Sequence, residues 1–448
     1  MLNEEGQVAA AENRFDGAKR AEESVPGRPL NPCELEIDLL AKGIRVDQPQ
    51  TLGAGARPIH RTRAGLGSGL ELVIPGSIKD VWVNVPVEEH FARESCYGLV
   101  GESGHWEVVD ARQDFRYPVR LPPEPAWYQR QTTRGVPMSR IGVLQGTYLG
   151  IYISNSCGFW HHSPSLNCKF CTTGLNVGVN EVAFKDVEDV VEVARAAKEE
   201  SDVTFVHFNS GYQTNQDLDR AAPYVKAVKS RVGALVGLQL MPTRDLWKYD
   251  RLIELGTDHF SFCYEFHNTD YFARFCPGKA KLVGQQTFFR ALEYTTRLLG
   301  KGACSGEIIA GVEPLEDTLR AIDYITGLGA FPTVCIFRPT VGSDMESWAS
   351  PPYEDLLAVF RHVYEACRRN NIPMDVTPNI EVSLVVQPGD TLYLSPPTWE
   401  SRSYALKMRL LKWAARPYFW WKRRPQAIAA SETISPSTLP LDYHAPWE

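Results

Sequence analysis

The chain has 448 residues, 44% hydrophobic and 23% charged, a balance that suits a folded protein with a sizeable core and excludes a disordered one. With 47 Lys and Arg against 54 Asp and Glu, the net charge of −7 gives no reason to expect a nucleic-acid partner. No apolar run approaches the roughly 20 residues that span a bilayer, and the opening MLNEEGQVAAAENRFDGAKRAEE lacks the basic-then-apolar order of a secretory signal, so a cytoplasmic location is expected. In that compartment the ten cysteines are expected to stay reduced, free for metal or catalysis.

Residues 1–30 are polar, small and charged, and are expected to form a mobile leader. Residues 31–140 form an N-terminal accessory region of mixed α/β character. Alternating segments at Leu70–Ile74 and Val81–Val85 predict strands there, broken by Pro75-Gly76 and by the proline-rich stretch 121–127. From 141 to 390 the text is regular. The run 142–154 (GVLQGTYLGIYIS) is followed by five more Val-, Ile- and Phe-rich runs, at 203–209, 234–240, 259–265, 304–311 and 332–338. Each is followed by a helical period, at 185–200, 217–230, 245–256, 285–300, 315–329 and 353–370. Six strand-then-helix units predict a parallel sheet, because parallel neighbours need a crossover, and six units make a partial TIM-like (βα)6 barrel. The fold class is therefore α/β, with an N-terminal extension and an aromatic, basic tail over 391–448. Within that tail, 402–424 mixes Arg and Lys with Trp413, Tyr418, Phe419, Trp420 and Trp421. Two roles suit this composition: a strap packed across the barrel, or an interfacial segment making peripheral membrane contact.

In such a barrel the chemistry sits at the carboxyl ends of the strands. The first run ends at Ser154, and the next loop, NSCGFWHHSPSLNCKFCTTG, places Cys157, Cys168 and Cys171 at spacing C-x10-C-x2-C. Three thiolates on one loop can bind three corners of a cubic iron–sulfur cluster and leave the fourth iron open. Phe170 and the small residues Thr172 to Gly174 suit a loop that curls round such a cluster. A zinc site completed by His161 or His162 is an alternative, as are three unligated thiols. Position favours the redox cluster, since a structural zinc clip has no reason to sit at a catalytic mouth.

On these residues the chain resembles the radical S-adenosylmethionine superfamily, in its biotin synthase-like branch, over about residues 142–385. The family signature is usually C-x3-C-x2-C. Cys168-x2-Cys171 with Phe170 matches it, and the C-x10 arm to Cys157 is an insertion. The resemblance implies that Cys157, Cys168 and Cys171 hold a [4Fe–4S] cluster and that S-adenosylmethionine is the second cofactor. Asn209, Ser210 and Gly211 fall where the superfamily grips the methionine amino group. Glu265 falls on a residue for the ribose or amino group, Arg290 on an arginine for the cofactor carboxylate, and Ile309, Gly311 and Glu313 on the adenine side.

The activity so implied is reductive cleavage of S-adenosylmethionine to a 5′-deoxyadenosyl radical. That radical takes hydrogen from a small-molecule substrate, leading to rearrangement, cleavage, coupling or methylation, with a flavodoxin or ferredoxin as electron donor. Substrate contacts are expected from Tyr212, Gln213 and Arg338, with Arg244, His267 and Asn268 as further candidates. A second, sulfur-donating cluster of the biotin synthase kind is not expected, because Leu238 stands at one of the strand positions that would carry its cysteines. The different class of function that stays open is a zinc-clipped barrel used for hydrolysis, binding or scaffolding.

Overall fold

The computed structural model describes residues 27–46, 56–61, 68–102, 104–162, 166–213 and 217–428, with the side chains of His60, Arg61, Ser68, Glu102, His161 and His162 outside that description. The expected leader lies outside it as far as residue 26. The last residues assigned to the leader are already packed: Leu30 is buried and its N–H donates to the Tyr117 hydroxyl at 3.1 Å.

Helix α1 (Pro32–Lys42) starts on a capping box, the Asn31 side chain accepting from the Cys33 and Glu34 N–H groups while Glu34 accepts from that of Asn31. Such a start contributes about 1 kcal/mol. Two three-stranded antiparallel sheets follow. The first is β1 (His60–Arg61), β2 (Ser68–Ile74) and β3 (Val81–Val85); after α2 (His90–Arg93) comes the second, β4 (Tyr97–Glu102), β5 (His105–Asp110) and β6 (Phe115–Val119). These elements share their core with the barrel, one apolar cluster running from Cys33 through β3 and β8 to Met408.

The barrel sheet is made of β7 (Val143–Gln145), β8 (Tyr148–Tyr152), β9 (Phe205–Asn209), β10 (Leu235–Gln239), β11 (His259–Glu265), β12 (Cys304–Ala310) and β13 (Phe331–Ile336). Its strand order is β13-β12-β11-β10-β9-β8-β7. All pairs from β8 to β13 are parallel, and β7–β8 is antiparallel. This is the expected partial (βα)6 barrel with one difference. The run 142–154 is a hairpin, not one strand, because Gly146 adopts φ +75° and turns the chain between Gln145 and Thr147.

Short helix α3 (Gly158–His162) lies in the cysteine loop. The crossovers are α4 (Val187–Ser201), α5 (Asp217–Arg231), α6 (Trp247–Glu254), a cluster of α7 (Thr269–Phe275), α8 (Pro277–Leu282) and α9 (Gln285–Leu299), then α10 (Leu315–Gly327) and α11 (Tyr353–Arg369). Beyond β13 the segment 373–389 folds back: Val386 bridges to Val334 on the edge strand, and Ser383 Oγ and the Gly146 N–H both donate to Glu71 of β2. Helix α12 (Trp399–Lys422) then straps the barrel at the amino ends of the strands, with Lys412 paired to Asp375 and Lys422 to Asp258, each at 3.0 Å.

Alternation along the strands turns Tyr148, Phe205, His207, Leu235, His259, Phe331 and Thr333 into the lumen, where they line a cavity of about 500 Å³. Burial in this apolar place pushes His207 down from 6.5 to about 3 and His259 to about 4. Both are neutral in the folded chain, whereas unfolding lets them take up protons below pH 6.5. Their contribution to stability is complete above that value and is lost on acidification. The expected slope is about 1.4 kcal/mol per pH unit for each histidine until its folded value is reached. Urea unfolding at several pH values will show this loss in the wild type, and a His207→Gln/His259→Gln variant will have the flatter acid limb.

Candidate functional site

The carboxyl ends of β8 and β9 create the site. They pair with Tyr152 opposite Asn209, so the two loops that leave them, 153–157 and 210–213, run side by side. Their contact is close. A Cβ on Gly211 would lie 2.4 Å from the Cys157 Cβ, so the loop fits against backbone that only glycine provides. The Gly211 N–H donates to the Tyr152 hydroxyl at 2.8 Å, and the Tyr212 N–H donates to the Cys157 sulfur at 3.3 Å.

Tyr212 and Gln213, expected to meet substrate, brace this loop. The Tyr212 ring stacks on Phe159 with centroids 4.5 Å apart, and the Gln213 amide donates to the carbonyls of Asn155 and Ser156. Ser210 donates to Asp217 at 2.9 Å, as does the Gln213 N–H at 3.2 Å. Asn209 ends β9 in the lumen, and its Oδ1 has no hydrogen-bond partner.

Cys157, Cys168 and Cys171 lie near enough to influence one another's charge. Burial pushes Cys157 up and Cys171 up to about 12, although the Thr173 N–H and hydroxyl point at the Cys171 sulfur. Cys168 is pushed down, first by the Cys276 thiol donating to it and also by the Lys279 ammonium. Thiols of this kind ionise when a cation takes them as ligands. Among the described residues, no three His, Cys, Asp or Glu side chains converge on a single metal ion. The zinc alternative rests on His161 and His162, whose side chains lie outside the described residues.

Two further groups meet this loop that the motif does not contain. Cys276, between α7 and α8, is fully buried against Cys168. Lys279 of α8 is buried too, its Nζ 2.6 Å from Glu265 and 2.7 Å from the Cys263 carbonyl. Neither stood in a recognisable spacing in the sequence; the only signal was the pattern C-P-G-K just beyond the fourth parallel strand. Glu265 itself has φ +68° at a bulge in β11, a break that turns its carboxylate out of the strand register towards Lys279.

The other expected site residues divide. Ile309 is buried near the end of β12, and Gly311 just past it has φ +94°, where a Cβ would collide with Pro351. Glu313 accepts from the Asn268 N–H at 2.9 Å, and burial raises it to about 7. It ties the loop after β11 to the loop after β12. Asn268 caps α7, and His267 packs among Tyr264, Phe289 and Tyr324 in the helix layer. Phe170 meets Phe266 edge-on.

Arg290 and Arg244 are exposed. For Arg290 the reason is helical phase: Thr287, Phe288, Ala291, Leu292 and Thr295 turn α9 onto the sheet and leave position 290 facing out. Arg338 is buried past β13 with Nη2 on the Leu384 carbonyl at 2.8 Å, while Nε and Nη1 have no partner. Asp344, which could have paired with it, is held by Lys169.

A chain of α/β class with thiols at the carboxyl rim of a partial barrel has counterparts among known proteins. No family model matches the chain. A curated bacteriochlorophyllide c C-7(1)-hydroxylase from Chlorobaculum limnaeum is 22% identical over 261 residues, covering 52% of this chain; the chain spans 62% of that relative's length. Among solved structures, methylornithine synthase matches with 16% identity and TM-score 0.38, over 48% of this chain and 62% of that one. A radical S-adenosylmethionine methyltransferase from Sphaerobacter thermophilus matches with 16% identity and TM-score 0.38, over 52% and 67%. The methyltransferase TsrM from Kitasatospora setae, with tryptophan and a cofactor analogue bound, matches with 11% identity and TM-score 0.38, over 73% and 78%. Two of these three solved structures are named as radical S-adenosylmethionine methyltransferases.

The Gly211 contact can be tested without any cofactor. Gly211→Ala must displace Cys157 or its loop, and overpacking of this kind costs about 1–3 kcal/mol. A lower thermal midpoint is expected, with faster alkylation of Cys157 in the native protein, read by peptide mass spectrometry.

Proposed function

We propose that the protein is a radical S-adenosylmethionine enzyme acting on a small molecule, with a [4Fe–4S] cluster on Cys157, Cys168 and Cys171. The observation that carries this reading is the position of the three thiols. They follow the first parallel strand at the carboxyl rim, and main-chain N–H groups of Tyr212 and Thr173 point at two of the sulfurs. Such donors favour thiolates bound to iron. Bound there, cluster and S-adenosylmethionine together supply a one-electron reduction that yields a 5′-deoxyadenosyl radical.

The chain's own part is positioning and exclusion. The main-chain carbonyls of the Ser210-Gly211 turn can accept from an ammonium group; Asn209 and Ser210 frame that edge, and Asp217 fixes Ser210. Glu265, held by Lys279, presents a carboxylate for a diol. Ile309 offers an apolar surface to a flat base, and Gly311 keeps the adjoining turn narrow. Arg338, with two unused nitrogens, suits a carboxylate at the same rim, of cofactor or substrate. The curated relative is named for a hydroxylation, which adds that outcome to rearrangement, cleavage, coupling and methylation. A flavodoxin or ferredoxin is the proposed reductant.

Anaerobic reconstitution with iron and sulfide tests this directly. About four irons per chain, a broad brown absorption and 5′-deoxyadenosine on reduction with S-adenosylmethionine are expected. Alanine at Cys157, Cys168 or Cys171 should abolish all three. Colourless protein holding one zinc and releasing no deoxyadenosine rejects the proposal.

The proposed peripheral partner is an anionic lipid surface met by α12. Tyr404, Met408 and Phe419 pack this helix inward, yet Trp399, Leu406, Leu410, Trp413, Trp420 and Trp421 are each more than half exposed. At 100° per residue these six share the outward face. Arg402, Arg409, Arg416 and Arg423, seven residues apart, border it, and 399–424 holds eight basic residues against one acidic in a chain that is acidic overall. Among the described residues no helix is long and apolar enough to cross a membrane. Co-sedimentation is expected with phosphatidylglycerol-containing vesicles, weakening with salt and with W413S/W420S/W421S. Equal binding to pure phosphatidylcholine, or dimerisation of vesicle-free protein lost in the same variant, would give the face to another occupant.

A further inference from the structure

The lumen holds unused binding capacity of a definite chemical kind. The cavity of about 500 Å³ runs from the carboxyl ends of the strands, where Asn209, Gln239, Glu307 and Cys335 line it, to a mouth framed by Leu411, Ala415, Tyr418 and Phe419 of α12. Between these ends the walls are mostly apolar, among them Phe205, Leu235, Phe331, Val376, Ile380 and Val382. A separate small cluster of Tyr148, Phe205 and Leu235, with Ile380, Val382 and Phe419 against it, lies at the α12 end of the cavity. Cavities of this size hold a small organic molecule.

The inner end is polar and incompletely satisfied. The Asn209 Oδ1 and His207 Nε2 atoms of β9 line the cavity, are buried, and have no hydrogen-bond partner; Gln145, opposite Tyr148 at the amino end of β8, leaves its Nε2 unpartnered at the outer end. Gln145 is only 6% exposed. Such atoms cost free energy when left unpaired, so a site that keeps two of them together on one strand is built for something that pairs with them. Glu307 is buried beside them, bound by Ser261 Oγ, Gln239 Nε2 and the Cys263 thiol, with no Lys or Arg among its partners. The lysines lining the cavity stand at its outer end and are engaged, Lys79 by Glu381 and Asp390, Lys301 by the Asn370 carbonyl. The residues lining the inner end therefore offer hydrogen bonds and no free cation; Arg338, near Cys335 at the rim, is not among them.

We propose that this cavity is the substrate chamber for an elongated, largely apolar molecule with one uncharged hydroxyl or carbonyl end, which enters past α12 and seats its polar end against Asn209 and His207. This deepens the radical-enzyme reading and rests on it for the word substrate, since Asn209 directly precedes the Ser210-Gly211 turn against Cys157. The binding itself needs neither cluster nor cofactor. A mouth beside the helix with the outward tryptophan face lets such a molecule pass from a lipid phase with little exposure to water.

The test is direct binding to the full chain, before and after reconstitution. The neutral fluorophore N-phenyl-1-naphthylamine is expected to bind saturably at one site per chain and to be displaced by the long-chain alcohol farnesol, with dodecanoate much weaker. Thr333→Trp, which fills the lumen, should weaken fluorophore and alcohol alike by at least about tenfold. Asn209→Leu should weaken the alcohol about fivefold and leave the fluorophore unchanged, as expected for loss of one hydrogen bond. Circular dichroism and the thermal midpoint of each variant establish that it is folded. Absence of saturable binding, or binding that ignores Thr333→Trp and disappears with W413S/W420S/W421S, overturns the chamber and assigns the signal to the helix surface. Because no deoxyadenosine is measured, a negative result here leaves the radical chemistry standing, and a positive one survives its failure.

Discussion

The parallel pairing of β8 with β9, Tyr152 opposite Asn209, is the constraint on which the rest of the site depends. It sets two loops leaving the sheet in the same direction at strand spacing, and Gly211 alone among residue types fills the gap against Cys157. A slip of one residue would exchange lumen and helix-layer side chains along the whole strand. The same parallel rule gives the lumen two unlike ends. Thiols and polar strand termini collect at one rim, and an aromatic, basic helix closes the other.

Charges buried at the joints hold these layers in place. Lys279 is buried between Glu265 and the Cys263 carbonyl where α8 meets β11; Lys229 is buried against Asp258 where α5 meets the base of the sheet. Lys79 reaches from the loop between β2 and β3 to Glu381 and Asp390. Loss of one member of such a pair leaves its partner's charge stranded, at a cost of about 3–5 kcal/mol. Each pair thereby fixes how one layer sits on the next, a task that apolar contacts perform with less directional preference.

The barrel was legible because its signal is regular: each parallel strand is a short run rich in apolar residues, and each helix repeats its apolar positions at 3.6 residues. The run 142–154 misled because a glycine turn inside an apolar stretch keeps the composition of a single strand. The cysteine loop was legible from spacing alone. The roles of Tyr212 and Gln213 were not, since both face back onto the loop they follow, and facing is a tertiary property. The outward facing of Arg290 on α9 is likewise a matter of helical phase, which a match in text does not carry. Cys276 and Lys279 came from a different crossover and reach Cys168 only through packing. The tail was read as strap or interfacial segment; it packs as a strap on one face while its outer face stays apolar.

The fold-back of residues 373–389 carries a consequence of its own. It supplies Val376, Ile380, Val382, Leu384 and Val385 to the cavity wall, yet it belongs to no strand of the barrel and touches the edge of β13 through a single bridge. One side of the compartment is therefore a panel outside the strand ladder, fastened to it by hydrogen bonds from Thr147, Thr204 and Arg338. Its outline can be recut by substitutions in that segment while the load of the fold stays on the six strands, so diversification of what is housed and preservation of what houses it are written in separate stretches of the chain.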